Sequence, residues 1–169
     1  LGEHCIRRID LIQLGSQFRT LNLSVGLTAD VIRDMRQEDK RRLGLAAYLV
    51  GGISKIFRAK PLLLELIIDG ELQDFRTTEV LLLNSPIFRE PILDWHEDVI
   101  IDDGELDLFV FPAVDSLNFL QTVWNFLRGR PKRDPDFQWF PVRRDLVLQC
   151  RQPVNVQSDG DFIGMTPVT

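Results

Sequence analysis

Two apolar runs, Leu62 to Ile68 and Leu72 to Leu83, stand on either side of the dipeptide Asp69-Gly70. A two-residue hairpin turn needs positive φ at both central positions, and Asp-Gly is a pair that tolerates this. The runs therefore read as antiparallel strands, the second with a polar, edge-like middle. The same pattern recurs along the chain. Gly15-Ser16 separates a strand from Ile6 to Gln13 and a returning strand from Phe18 to Val25, which ends at Gly26. Leu106 to Phe111, Val142 to Cys150 and Val154 to Gln157 read as further strands, and Asp159-Gly160-Asp161 as another tight turn. Strands that follow one another in hairpins, with no alternating βαβ run, exclude a doubly wound parallel sheet. A mainly antiparallel β-sandwich or barrel of seven or eight strands with attached helices is the expected architecture.

Three helices are expected. Thr28 or Asp30 caps a short one running to about Met35. A second runs from about Glu38 to Phe57, with Leu45, Tyr48, Leu49, Gly52, Ile53 and Ile56 on one face. The third, Ser116 to Arg128, is capped by Asp115 and followed by Gly129, where a C-terminal cap belongs. Asn84-Ser85-Pro86 breaks a strand, residues 86–97 read as irregular, and Pro131 to Pro141 as a loop carrying Trp139.

A chain of 169 residues predicts a single domain with its own core. Its formal net charge of −5 argues against a nucleic-acid partner. Cys5 and Cys150 form no CxxC pair, and His4 and His96 have no ligand-like spacing. Imidazole or thiolate metal binding is not expected, and a reducing, cytoplasmic setting is. No apolar run approaches the length of a membrane-spanning helix. The chain starts at Leu1, so a preceding segment is expected.

No GxSxG, HExxH or Cys–His arrangement supplies a nucleophile or a zinc site. Residues 49–55 carry glycines and a lysine but lack P-loop spacing. Two acidic turns remain. In the first, residues 100–107, carboxylates and turn carbonyls make an oxygen-rich setting that suits a hard cation such as magnesium. In the second, Asp159-Gly160-Asp161, a carboxylate on a tight turn can act as general base toward an alcohol. Taken alone, the plainer reading of each is a hairpin turn whose Asp and Gly satisfy the backbone.

Taken together these stretches resemble one family. Asp102-Asp103-Gly104-Glu105-Leu106-Asp107 is similar to a "DDG-x-L-D" turn and strand, and Asp159-Gly160-Asp161 with Thr166-Pro167 to a late "DGE … P" segment. Arg8-Ile9-Asp10-Leu11, then Phe18, Asn22, Gly26 and Ala29-Asp30-Val31, resemble its "R-x-D-L-G … F-x-N-x-x-G-x-G-x-D-A" stretch. Arg41-Arg42-Leu43-Gly44 through Ala47-Tyr48-Leu49 resembles its "K-R-x-G … A-Y-L" helix. Asp69-Gly70 and Asn84-Ser85 fall in the expected order. The family is the diacylglycerol kinase catalytic-domain superfamily, which includes bacterial lipid kinases and sphingosine kinases.

The resemblance implies an antiparallel β-sandwich-like second domain of a two-domain lipid kinase, related to the second domain of NAD kinase. It implies that residues 1–169 are this single domain. The N-terminal α/β nucleotide-binding domain with its "GGDGT" loop would be absent, and the final strands truncated. Asp103 would be the side-chain ligand of a magnesium ion, with the carbonyls of Ile100 and Glu105 beside it. Asp161 would stand where the family places a general base, commonly a glutamate one methylene longer. Asp159, Gly160 and Gly104 would support the two turns.

The implied reaction moves the γ-phosphoryl group of ATP to a hydroxyl of a lipid such as diacylglycerol, with ATP held mainly by the absent domain. The fragment alone would be inactive. Peripheral membrane contact and a homodimer through an unpaired sheet edge are further expectations. Trp95, Trp139 and Phe137 suit a membrane interface, although core packing is the expected role of at least two of them. Two other readings stand beside this one: a non-catalytic β-sandwich that binds a lipid or a protein, and an NAD kinase-like enzyme.

Overall fold

The computed structural model describes residues 6–34, 61–85, 99–112, 121, 122, 124 and 137–169. The expected helix at 38–57 and the irregular stretch at 86–97 lie outside these residues. Of the expected helix at 116–128 only residues 121, 122 and 124 are described, and they are helical.

Among the described residues ten strands and one fully described helix follow in chain order: β1 Ile12–Leu14, β2 Gln17–Arg19, β3 Asn22–Gly26, α1 Leu27–Asp34, β4 Leu62–Ile68, β5 Glu71–Leu83, β6 Leu106–Pro112, β7 Gln138–Val142, β8 Leu146–Cys150, β9 Asn155–Ser158 and β10 Asp161–Met165. All pairings among them are antiparallel. β1 and β2 form a separate hairpin. The other eight strands form one sheet in the order β10-β9-β3-β5-β4-β8, with β6 on β5 and β7 on β6.

The 13-residue β5 organises the sheet. Its first half pairs with β4 from Glu71 to Thr77, and its second half pairs with both β3 and β6. The change of partner coincides with a bulge between Thr77 and Glu79. There the Thr77 hydroxyl lies within hydrogen-bond distance of the carbonyls of Glu79 (2.8 Å) and Phe111 (2.6 Å), donates its one hydrogen between them and accepts the Glu79 N–H (3.2 Å), so it satisfies groups displaced by the bulge.

Residues 77–83 are all buried, so β5 carries apolar side chains on both faces. On one face Val80 and Leu82 join Leu23, Val25, Leu64, Leu66, Leu108, Val110, Leu148 and Val156 in the main core. On the other, Leu81 and Leu83 join Phe109, Phe111, Phe137, Leu27 and Val99, with Trp139 packed beside them. Beyond β10, Val168 makes a reciprocal pair of main-chain hydrogen bonds with Leu148 of β8, which brings the two ends of the strand order together.

Four sequence expectations need correction. The strand expected from Ile6 to Gln13 pairs only over Ile12–Leu14, because Asp10 donates its main-chain N–H to Ile101 rather than to a strand partner. The strand expected from Phe18 to Val25 is broken between β2 and β3, and the one from Val142 to Cys150 is broken between β7 and β8. At both breaks a distant aspartate carboxylate takes the main-chain N–H groups (below). The loop expected up to Pro141 contains β7. Among the described residues it pairs with β6 alone, and proline is tolerated in such an edge strand. Phe137 is buried in the core, and half-buried Trp139 donates its indole N–H to Asp107 (2.8 Å). Trp95 is outside the described residues.

Candidate functional site

The turn that opens β6 is held from two sides. Arg7 makes a two-point contact with Asp102 (2.6 and 2.8 Å), and Asp10 Oδ2 accepts the Gly104 N–H (2.8 Å). From the other side Arg143 Nε meets Glu105 Oε1 at 2.7 Å. The Arg7 guanidinium holds the Asp102 carboxyl below the usual carboxylate range. Gly104 has φ of +80° with open space where a Cβ would be, so the turn selects glycine by backbone conformation and not by crowding.

Within this frame Asp103 Oδ1 accepts the Glu105 N–H (3.1 Å), and among the described residues no hydrogen bond reaches its Oδ2. One carboxylate with neighbouring carbonyls is hard-oxygen chemistry that fits a magnesium ion retaining several waters. No group of three or more His, Cys, Asp or Glu side chains is placed to hold a metal among the described residues. The Glu105 side chain is spent on Arg143, which leaves its carbonyl as the group to consider.

The second turn joins β9 to β10. Asp159 has φ of +52° and Gly160 of +83°, the positive pair that a tight hairpin needs. The Asp159 carboxylate points away from its own hairpin. Oδ1 accepts the N–H groups of Leu21 (2.9 Å) and Asn22 (3.0 Å), and Oδ2 those of Thr20 N–H (2.9 Å) and hydroxyl (3.2 Å). Burial pushes its pKa up, but these donors outweigh that and hold it below the ordinary value. The Gly160 N–H donates to the buried Gln157 side chain, whose amide donates to Asn22 and Ser24. Asp161 follows as the exposed first residue of β10, in register with Ser158.

Sequence reasoning missed three residues. Asn84, fully buried at the end of β5, donates to the carbonyls of Asp10 and Thr20. Glu79, buried beneath the start of α1, accepts the Thr28 N–H at 2.9 Å. Burial raises its pKa to about 8, against the Thr28 N–H and the hydroxyls of Thr28 and Ser24, while the charge of Asp30 adds to the rise. The Asp10 side chain was noted only as part of a motif. A Glu inside an otherwise apolar run is the available signal for Glu79, whereas Asn84 reads only as a strand break and as part of the resemblance.

The fold defines an antiparallel β-sandwich-like domain whose two acidic turns lie at strand ends. The chain belongs to the family of YegS C-terminal NAD kinase beta sandwich-like domains, whose model matches residues 22–169. It is similar to a crystal structure of a diacylglycerol kinase from Bacillus anthracis str. Sterne, with 19% identity and a TM-score of 0.68 over 96% of this chain and 52% of that one. A second structure from that organism, provisionally assigned the same activity, has 20% identity and a TM-score of 0.69 over 96% and 52%. An uncharacterized protein of Synechocystis sp. is 24% identical over 147 residues, 85% of this chain and 34% of that protein. The chain thus spans about half the length of the solved structures and about a third of the Synechocystis protein. The expected β-sandwich-like domain related to the second domain of NAD kinase is matched by the family model, and the solved diacylglycerol kinase structures share its fold. Among the described residues no helix is long and apolar enough to cross a membrane.

Proposed function

We propose that this chain is the β-sandwich-like C-terminal domain of an ATP- and magnesium-dependent lipid kinase of the diacylglycerol kinase type, acting with an N-terminal domain that holds the nucleotide. The observation that carries the reading is the pair of acidic turns on one hydrogen-bonded frame, in a chain of this family. Asp161 accepts the proton of a lipid hydroxyl as its oxygen attacks the γ-phosphorus. The new O–P bond replaces the bond to the β-phosphate oxygen, and ADP leaves. Asp103, with the carbonyls of Ile100 and Glu105, would hold magnesium, which when bound supplies positive charge against the phosphates. A cleft of about 520 Å³, lined by Leu11, Ile12, Leu106 and Leu148 and also by Gln13, Arg144 and Asp145, has room for part of an acyl chain. Diacylglycerol is the substrate class proposed, reached by peripheral contact with a membrane.

The test is ATP-dependent phosphorylation of a mixed lipid panel by the protein carrying both domains, wild type against Asp161→Asn. Phosphorylation by the wild type, lost in a folded Asp161→Asn variant, is the expected result. No activity from a folded wild-type protein on a broad panel would overturn the reading in favour of a non-catalytic binding module.

A further inference from the structure

Asn84 uses both hydrogens of its side-chain amide on main-chain carbonyls, one on Asp10 at 2.6 Å and one on Thr20 at 2.9 Å. Its own N–H donates to Leu21 at 2.9 Å. Each segment it holds grips a different acidic turn. Asp10 bonds Ile101 through its N–H and Gly104 through its carboxylate, both at 2.8 Å. Thr20 reaches Asp159 through its N–H and its hydroxyl. A continuous path of hydrogen bonds therefore runs from Gly104 through Asp10, Asn84 and Thr20 to Asp159, two residues before Asp161. The arrangement has a cost, since Asn84 Oδ1 is buried with no hydrogen-bond partner among the described residues. An apolar residue of similar size would avoid that cost and cut both bonds.

We propose that Asn84 is a positioning residue: it ties the Asp10 and Thr20 segments together, so that the turn bearing Asp103 and the turn bearing Asp161 are held in one fixed relation. Phosphoryl transfer gains most of its rate from such positioning, and small displacements of a reacting group are costly. The functional meaning rests on the reading of Asp161 as the base; the mechanical coupling of the two turns does not.

The coupling is tested on this chain by amide hydrogen exchange in wild type, Asn84→Leu and Asp10→Ala. Asp10 is only half-buried, so its variant keeps the test open if Asn84→Leu does not fold. Removing Asn84 should speed exchange by about fivefold or more at both ends, at Gly104 and at Thr20 to Asn22. Asp10→Ala, which cuts the Gly104 bond directly, should also speed exchange at Thr20 to Asn22. Faster exchange at Gly104 alone in Asp10→Ala would overturn the coupling.

In the two-domain protein, Asp10→Ala should lower kcat about tenfold with the KM for ATP within about twofold. A stability-matched Thr77→Val variant should leave kcat unchanged. An unchanged kcat in Asp10→Ala would overturn the positioning role. A wild type without activity would instead overturn the lipid-kinase reading, and the exchange result would then decide the coupling by itself.

Discussion

Asp69 and Asp159 build the same device twice. Each precedes a glycine in a tight hairpin turn with φ near +50° (51° and 52°), and each donates its N–H to the carbonyl of the last residue of a three-residue segment, Asp145 or Asn22. Each then turns its carboxylate onto three successive main-chain N–H groups of that segment, 143–145 for Asp69 and 20–22 for Asp159. Replacing either by Ala should destabilise the domain by roughly 1–3 kcal/mol, since several charge-assisted bonds are lost together. The two sit on strands three steps apart in the sheet, so the double variant should be additive within about 0.5 kcal/mol. Urea denaturation of the two single variants and the double variant checks this; a double variant no worse than either single one would contradict it.

Glu79 sets a pH dependence of opposite sign to that of Asp69, Asp102 and Asp159. Its folded pKa is about 8, above an unfolded value of about 4.3. Between those values the folded chain binds a proton that the unfolded chain has released, so this contribution makes stability fall as pH rises from about 4 to about 8. Asp69, Asp102 and Asp159 have lowered pKa values, so their contributions are present above about pH 4 and are lost on further acidification. Glu79→Gln keeps the size of the neutral acid and should flatten the slope between pH 5 and pH 8. Urea midpoints falling equally in both proteins over that range would rule out Glu79 as the source.

Gly26 joins β3 to α1 with φ of +123°, and a Cβ there would lie 2.5 Å from the Thr78 carbonyl oxygen and 2.9 Å from Glu79 Oε2. The first obstacle is backbone and cannot swing aside. Gly26→Ala should therefore cost about 3 kcal/mol, by backbone strain and displacement of the β3–β5 pairing. Gly104→Ala meets strain without crowding and should cost less. Thermal unfolding of the two variants side by side gives the comparison, and equal losses would refute the crowding argument.

Magnesium should be detectable at the first acidic turn without any kinase assay. Titration of this chain with magnesium chloride should move the amide resonances of residues 100–106, and Asp103→Ala should abolish the movement while Asp161→Asn leaves it intact. Resonances that shift equally in Asp103→Ala would place the ion elsewhere.

The shorter acid at Asp161 offers a separate test of the base. In the two-domain protein, Asp161→Asn should lower kcat by about 10²–10⁴-fold, and Asp161→Glu should retain activity, because the role needs a carboxylate within reach of the hydroxyl. Loss of activity in both would show that position, not only charge, is fixed at this turn. Full activity in Asp161→Asn would remove Asp161 from the mechanism.

Local chemistry determined the class of fold. The alternating and continuous apolar runs, the Asp-Gly turns at 69–70 and 159–160, and the strand break at Asn84 need only neighbouring residues to act, and they appear where the sequence places them. The two acidic turns were legible for the same reason. Tertiary structure decided where the long apolar stretches stop being strands. Phe18 to Val25 and Val142 to Cys150 each look continuous, yet each is broken where an aspartate far away in the chain takes three amides from the ladder. The joining of the two turns through Asn84 was likewise invisible, because it depends on Asp10, Thr20 and Asn84 meeting in space. A hydrogen bond between residues more than sixty positions apart leaves no periodicity to read, and only the completed sheet brings its donor to its acceptor.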